Sequence, residues 1–90
     1  MQVELSKDAQ KALRKAPKHI VAKLLAWVDL VEQEGMDEAR TRPGFQDEPL
    51  KGTLKGKRSI RLSKQWRAIY SIKQNKIECV LVERVTPHDY

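Results

Sequence analysis

Ninety residues carrying 18 lysines and arginines against 12 aspartates and glutamates, a net charge of +6, make one small basic domain, 1–90, near the lower size limit for a self-sufficient core. That balance points to a polyanionic partner, nucleic acid or an acidic protein, while a hydrophobic fraction of 40% excludes a disordered chain. A single cysteine excludes an internal disulfide framework and a cysteine-built zinc cluster, the few aromatic residues do not make a base-stacking platform, and neither a signal region nor a membrane-length apolar run is present, so the chain reads as soluble and cytoplasmic.

Gln2 to Leu5 alternates and reads as an edge strand. Ser6 is a good N-cap for a helix over Lys7 to Lys15, with Leu13 and Ala9 or Ala12 inward. Ala16-Pro17 breaks it, because a residue before proline avoids the helical region. A second helix runs from about Pro17 to Glu34, with Ile20, Leu24, Trp27 or Val28, and Val31 at helical spacing, widened by Val21 and Leu25, and Gly35 as C-cap. His19 reads as a solvent-facing residue. The two helices form an α-hairpin whose apolar face packs on a sheet. Met36 to Arg40 reads as a further helical turn, and Thr41 to Pro49 as an ordered surface loop pinned by Phe45.

Leu50 to Gly56 is a basic, glycine-punctuated entry to a hairpin and lacks the pattern of a P-loop. Lys57–Leu62 and Trp66–Ile72 alternate with period two. If Ile60 and Leu62 share an apolar face with Trp66, Ala68 and Tyr70, Ser63-Lys64-Gln65 is the connection, Leu62 faces Trp66, and Arg61 faces Arg67. Two arginines directly across a strand pair repel, which favours an anion on that face over a merely solvated surface. Gln74-Asn75 reads as a tight turn. Lys76 to Val85 reads as a central strand, apolar on both faces, with Cys79 buried in it, and Pro87 ends it before His88-Asp89-Tyr90. The order β-α-α-β-β-β predicts an α+β fold: a curved antiparallel sheet with both helices on one face and Lys57, Arg61 and Arg67 on the other.

If Glu48, Arg61, Arg67, His88 and Tyr90 converge, they supply what RNA cleavage needs: a base for the ribose 2′-hydroxyl, an acid for the leaving 5′-oxygen, and cations for the charge that builds on the phosphate. A positioned acid or base contributes about a hundred- to ten-thousand-fold. Guanidinium groups match phosphoryl oxygens in a planar fork. Glu48 is the candidate base, His88 the candidate acid, Arg61 and Arg67 the phosphate clamps, and Tyr90 a stacking or orienting residue. Lys51, Lys55, Lys57 and Arg58 are candidate contacts to RNA or an RNA-rich partner. Taken singly, Glu48 reads equally as a loop carboxylate and His88 as a surface residue near the terminus; Arg67, flanked by Trp66 and Tyr70, is the most specific.

Glu48-Pro-Leu-Lys-Gly52, Arg58-Ser-Ile-Arg-Leu62, Trp66-Arg-Ala-Ile-Tyr70 and terminal His88-Asp-Tyr90, behind the helix pair, resemble the RelE/ParE superfamily of type II toxin–antitoxin toxins, and its RelE, YoeB and HigB-like members in particular. The resemblance covers essentially the whole chain. It implies a metal-independent, cofactor-free endoribonuclease that enters the ribosomal A site and cuts the codon there. It implies an antitoxin that wraps the basic surface, and a toxin that is monomeric when free and hetero-oligomeric with that antitoxin, with ribosome and mRNA as partners and no membrane. By motif, Glu48 matches the loop glutamate used as a base, Arg67 the arginine after the aromatic residue, Arg61 a basic first-strand position, and His88 and Tyr90 the C-terminal pair, here separated by Asp89. Two alternatives remain at this stage: a ParE-like toxin of DNA gyrase, and a degenerate toxin that only binds its antitoxin.

Overall fold

A computed structural model describes residues 2–74 and 78–87. The elements are β1 (Gln2–Leu5), α1 (Lys7–Lys15), α2 (Lys18–Glu34), α3 (Met36–Arg40), β2 (Glu48–Pro49), β3 (Arg58–Arg61), β4 (Trp66–Gln74) and β5 (Glu78–Pro87). They form an α+β fold around one sheet of strand order β1-β5-β4-β3-β2. The strands β2 to β5 are antiparallel. The antiparallel sheet is the expected one, and β1 joins its edge parallel to β5. The helices between β1 and the hairpin return the chain to the same end of the sheet, which a parallel pairing requires.

Local chemistry sets the boundaries. Ser6 Oγ accepts from the Ala9 backbone N–H at 3.0 Å, satisfying one of the donors that an N-terminus leaves open. Ser6→Ala should therefore lower stability by about 1 kcal/mol, read from chemical denaturation. Ala16 is extended before Pro17, which starts α2. Gly35 closes α2 at φ +88°, where a side chain would be strained, and its N–H donates to Val31 O at 2.9 Å.

Ile20, Leu24, Trp27 and Val31 are the buried residues of α2. Val28 and Val21 are half-buried, and Leu25, expected to widen the apolar stripe, is instead 48% exposed. His19 is exposed. Ala9 from α1, and Met36 and Ala39 from α3, join the same cluster as Ile60, Leu62, Ala68, Tyr70, Val82 and Val85 from the sheet side. Full burial of a side chain of this size contributes about 2 kcal/mol, so this shared face is the main source of stability. The Trp27 and Tyr70 rings meet with centroids 5.0 Å apart, tilted by 48°. Phe45 packs on the cluster from the loop, under the Lys23 ammonium, which lies 5.4 Å from its ring centroid and donates to Gly44 O at 3.1 Å.

The hairpin register is the one that parity predicts. Arg61 faces Arg67, Ile60 faces Ala68, and Leu62 N donates to Trp66 O at 2.9 Å. Ser63 Oγ accepts from the backbone N–H of Gln65 and Trp66, both at 3.1 Å, and so closes the turn. Between β4 and β5 the register slips at Ile69/Tyr70: Ile69 pairs with Arg84 but Tyr70 with Val82. This bulge brings Val82 and Val85, three residues apart, onto one face. The expected Gln74-Asn75 turn falls largely outside the described residues.

Candidate functional site

Because Ile60, Ala68 and Tyr70 face the helices, the alternate positions of β3 and β4 face away from them. Two rows cross the strands there. The first is Glu48 on β2, Ser59 on β3, Ile69 on β4 and Arg84 on β5. The second is Arg61 on β3, Arg67 on β4 and Thr86 on β5. Neighbours within a row are about 4.8 Å apart in the hydrogen-bonding direction, and the two rows are about 6.8 Å apart along the strands. Glu48 and Arg84 are exposed, Arg61 and Arg67 half-buried. Ser59 and Ile69 are buried at 0% and 1% exposure although they lie outside the helix-side cluster.

Glu48, Arg61 and Arg67 thus lie on one sheet face. Arg61 is fastened at its base by Nε donating to Ser63 O at 3.2 Å and at its tip by Nη1 donating to Gln46 Oε1 at 3.1 Å. Gln46 has φ +45°, a left-handed backbone that is unusual outside glycine and that turns the chain immediately before Asp47 and Glu48. His88 and Tyr90, the candidate acid and orienting residue, lie outside the described residues.

Of the candidate backbone contacts, Lys51 and Lys55 are exposed on either side of a 3-10 turn at Gly52–Leu54, and Lys57 is half-buried just before β3. Arg58, expected to join these lysines, instead lies on the helix side, opposite Tyr70, and is paired with Asp47. Its Nε donates to Asp47 Oδ1 at 2.6 Å, and the Tyr70 hydroxyl donates to Asp47 Oδ2. The Asp47 side chain is fully buried, while that of Arg58 keeps 27% exposure. A buried carboxylate needs such partners, because desolvation of an unpaired charge is costly. Burial works to lower the Arg58 pKa, but the hydrogen bond and charge of Asp47 outweigh it and the net direction is upward.

Tyr70 is pushed well above its ordinary value of 10.0, first by burial and then by Asp47, with Arg40 partly opposing. The folded state therefore holds the phenolic proton more tightly than the unfolded chain. That contribution to stability is complete below pH 10 and is lost as pH rises through the folded-state value. The melting temperature of the unmodified protein should fall more steeply above pH 10 than that of Tyr70→Phe, whose ring packs but cannot ionise. Equal slopes would mean that Tyr70 is not the group responsible.

Sequence reasoning passed over three members of this region. Asp47 carries no spacing signal, since its partners are 11 and 23 residues away. Arg84 is aligned with the hairpin face only through the bulge. Ser59 was placed by parity but given no role. Among the described residues no group of three or more histidines, cysteines, aspartates or glutamates could hold a metal ion, and no helix is long and apolar enough to cross a membrane.

No family model matches the chain, and no curated protein matches it. Solved structures do. The archaeal RelE–RelB complex from Pyrococcus horikoshii contains a chain of 28% identity, covering 96% of this chain and 92% of that one, with a TM-score of 0.72. The DinJ–YafQ toxin–antitoxin complex of E. coli matches at 24% identity over 97% and 91%, with a TM-score of 0.74. A YoeB/ParE toxin from Agrobacterium tumefaciens matches at 20% identity over 99% and 100%, with a TM-score of 0.69. The architecture is that of RelE/YoeB-like toxins.

Proposed function

We propose that this chain, built on the fold of RelE/YoeB-like toxins, is the toxin of a type II toxin–antitoxin system and acts in the cytoplasm as a ribosome-dependent mRNA endonuclease. The observation that carries this reading is the Arg61–Arg67 pair, set directly across β3 and β4 with Glu48 in the adjoining row of the same face. Two guanidinium groups held together against their repulsion form a fork for a phosphodiester.

Glu48 accepts the proton of the ribose 2′-hydroxyl, whose oxygen attacks the adjacent phosphorus. Arg61 and Arg67 stabilise the charge gathering on the phosphoryl oxygens, the kind of electrostatic term that is often the largest in catalysis. The bond to the 5′-oxygen breaks and that oxygen takes a proton from His88, leaving a 2′,3′-cyclic phosphate and a 5′-hydroxyl. No metal or cofactor enters this scheme. Lys51 and Lys55 hold the RNA backbone or ribosomal RNA as mobile cations. An antitoxin covers the cationic face, as the partners named in the RelE–RelB and DinJ–YafQ complexes suggest by analogy.

The test is cleavage of a defined mRNA by the purified protein with and without programmed ribosomes, mapped by primer extension. Cuts at the A-site codon that depend on ribosomes are the expected result. Protein that arrests growth but makes no cuts in either condition would transfer the reading to a ParE-like action on DNA gyrase. Protein that binds an antitoxin and does neither would be a degenerate toxin.

A further inference from the structure

We infer that the Ser59 hydroxyl is a phosphate-contacting group of the cleavage site, a hydrogen-bond donor to the phosphodiester held by Arg61 and Arg67. This rests on the endoribonuclease reading. Ser59 is the buried polar residue among those described, at 0% exposure, and its Oγ has no hydrogen-bond partner among the described residues. A desolvated hydroxyl left without a partner costs a folded protein free energy that an alanine would not, so its presence calls for a use outside the fold. Its position supplies one. Ser59 faces Glu48 across β2 and β3, and Arg61 is the next residue along the same face. The Arg61 Cα lies about 6.8 Å along the strand from the Ser59 Cα, a separation that a serine side chain and a phosphoryl oxygen held by Arg61 can span between them.

The hydroxyl is closed to solvent in the free protein, so the substrate must uncover it. The contacts of the neighbouring Arg61 guanidinium are ones an anion can replace: its Nη1 bond to the exposed Gln46 and its Nε bond to Ser63 O. When the phosphate draws the guanidinium to itself, Ser59 Oγ gains an anionic acceptor in a dry setting, where a charge-assisted hydrogen bond is strongest.

The measurement pairs stability with activity in Ser59→Ala and in Ser59→Cys, whose slightly larger thiol keeps the shape but donates weakly. A purely structural serine predicts a melting temperature that holds or rises and cleavage at the wild-type rate. A phosphate donor predicts the same or higher melting temperature with ribosome-dependent cleavage reduced about 10- to 100-fold in both variants. Titration of the free protein with inorganic phosphate, followed by backbone amide shifts of β3 and β4, is the second arm. Weaker phosphate binding by Ser59→Ala is expected, and it would uphold the donor role even if the wild-type protein made no cuts, in which case only the nuclease reading falls. Unchanged cleavage together with unchanged phosphate binding would overturn the inference. So would a loss of activity that follows a loss of stability.

Discussion

Arg67→Ala should leave the protein folded and cut ribosome-dependent cleavage by about a hundred- to a thousand-fold, the usual loss when one preorganised electrostatic group is removed from a transition state. Arg67 lies on the face away from the helices and takes no part in the hydrophobic cluster, so its truncation spares the core. The same change relieves its repulsion with Arg61 across the strand pair, a gain of a few tenths of a kcal/mol that opposes any loss of packing. Toxicity in cells and cleavage in vitro should fall together while the melting temperature moves by a few degrees at most. Lysine at this position keeps the charge but not the planar fork and should restore only part of the activity. A variant that folds normally and still cuts at the wild-type rate would remove the clamp from the mechanism.

Asp47→Ala should have the larger effect on stability. It leaves the Arg58 guanidinium and the Tyr70 hydroxyl facing a void at the edge of the core, with neither able to reach bulk water fully. Breaking a buried ion pair by removing one partner costs about 3 to 5 kcal/mol; the partial exposure of Arg58 places this case near the lower end, about 3 kcal/mol. For a domain of this size that corresponds to a fall in melting temperature of about 10–20 °C. Asp47→Asn retains the shape and one acceptor and should recover roughly half of the loss. Asp47 also precedes Glu48, so a loosened loop releases β2, which is only two residues long. Cleavage by Asp47→Asn at a temperature where it is fully folded should therefore show a lower kcat. A melting temperature within a degree or two of wild type for Asp47→Ala would show that Asp47 does not organise this corner.

The hairpin was legible because a period of two leaves only one way to put Ile60, Leu62, Ala68 and Tyr70 on the same side, and the Arg61–Arg67 pairing follows from it. At Arg58 the same logic held and the inference from charge did not. Parity assigns it to the helix side, but its charge and its basic neighbours suggested solvent, and only the buried Asp47 reconciles the two. In β5 alternation fails at the bulge, since Val82 and Val85 cannot share a face in a regular strand. The parallel pairing of β1 was invisible too, because four residues of alternating burial carry no information about which edge they join. Helix boundaries were plain, since Ser6, Pro17 and Gly35 act through their own backbones and side chains.

The pairing of β1 with β5 has a consequence for how the chain comes into being. Gln2 meets Cys79 and Leu5 meets Val82, so every rung of that ladder joins residues 77 positions apart. Contacts of such long range close a very large loop before they return any free energy, and they slow folding. During synthesis β1 must wait, unpaired, for a strand made 77 residues later. The rows bearing Glu48, Arg61 and Arg67 end on Arg84 and Thr86 of that same late strand. A nascent chain therefore carries no finished cationic face while β5 is still inside the ribosome that is making it. For a chain with the proposed activity, this topology delays the finished cleavage face until β5 has emerged.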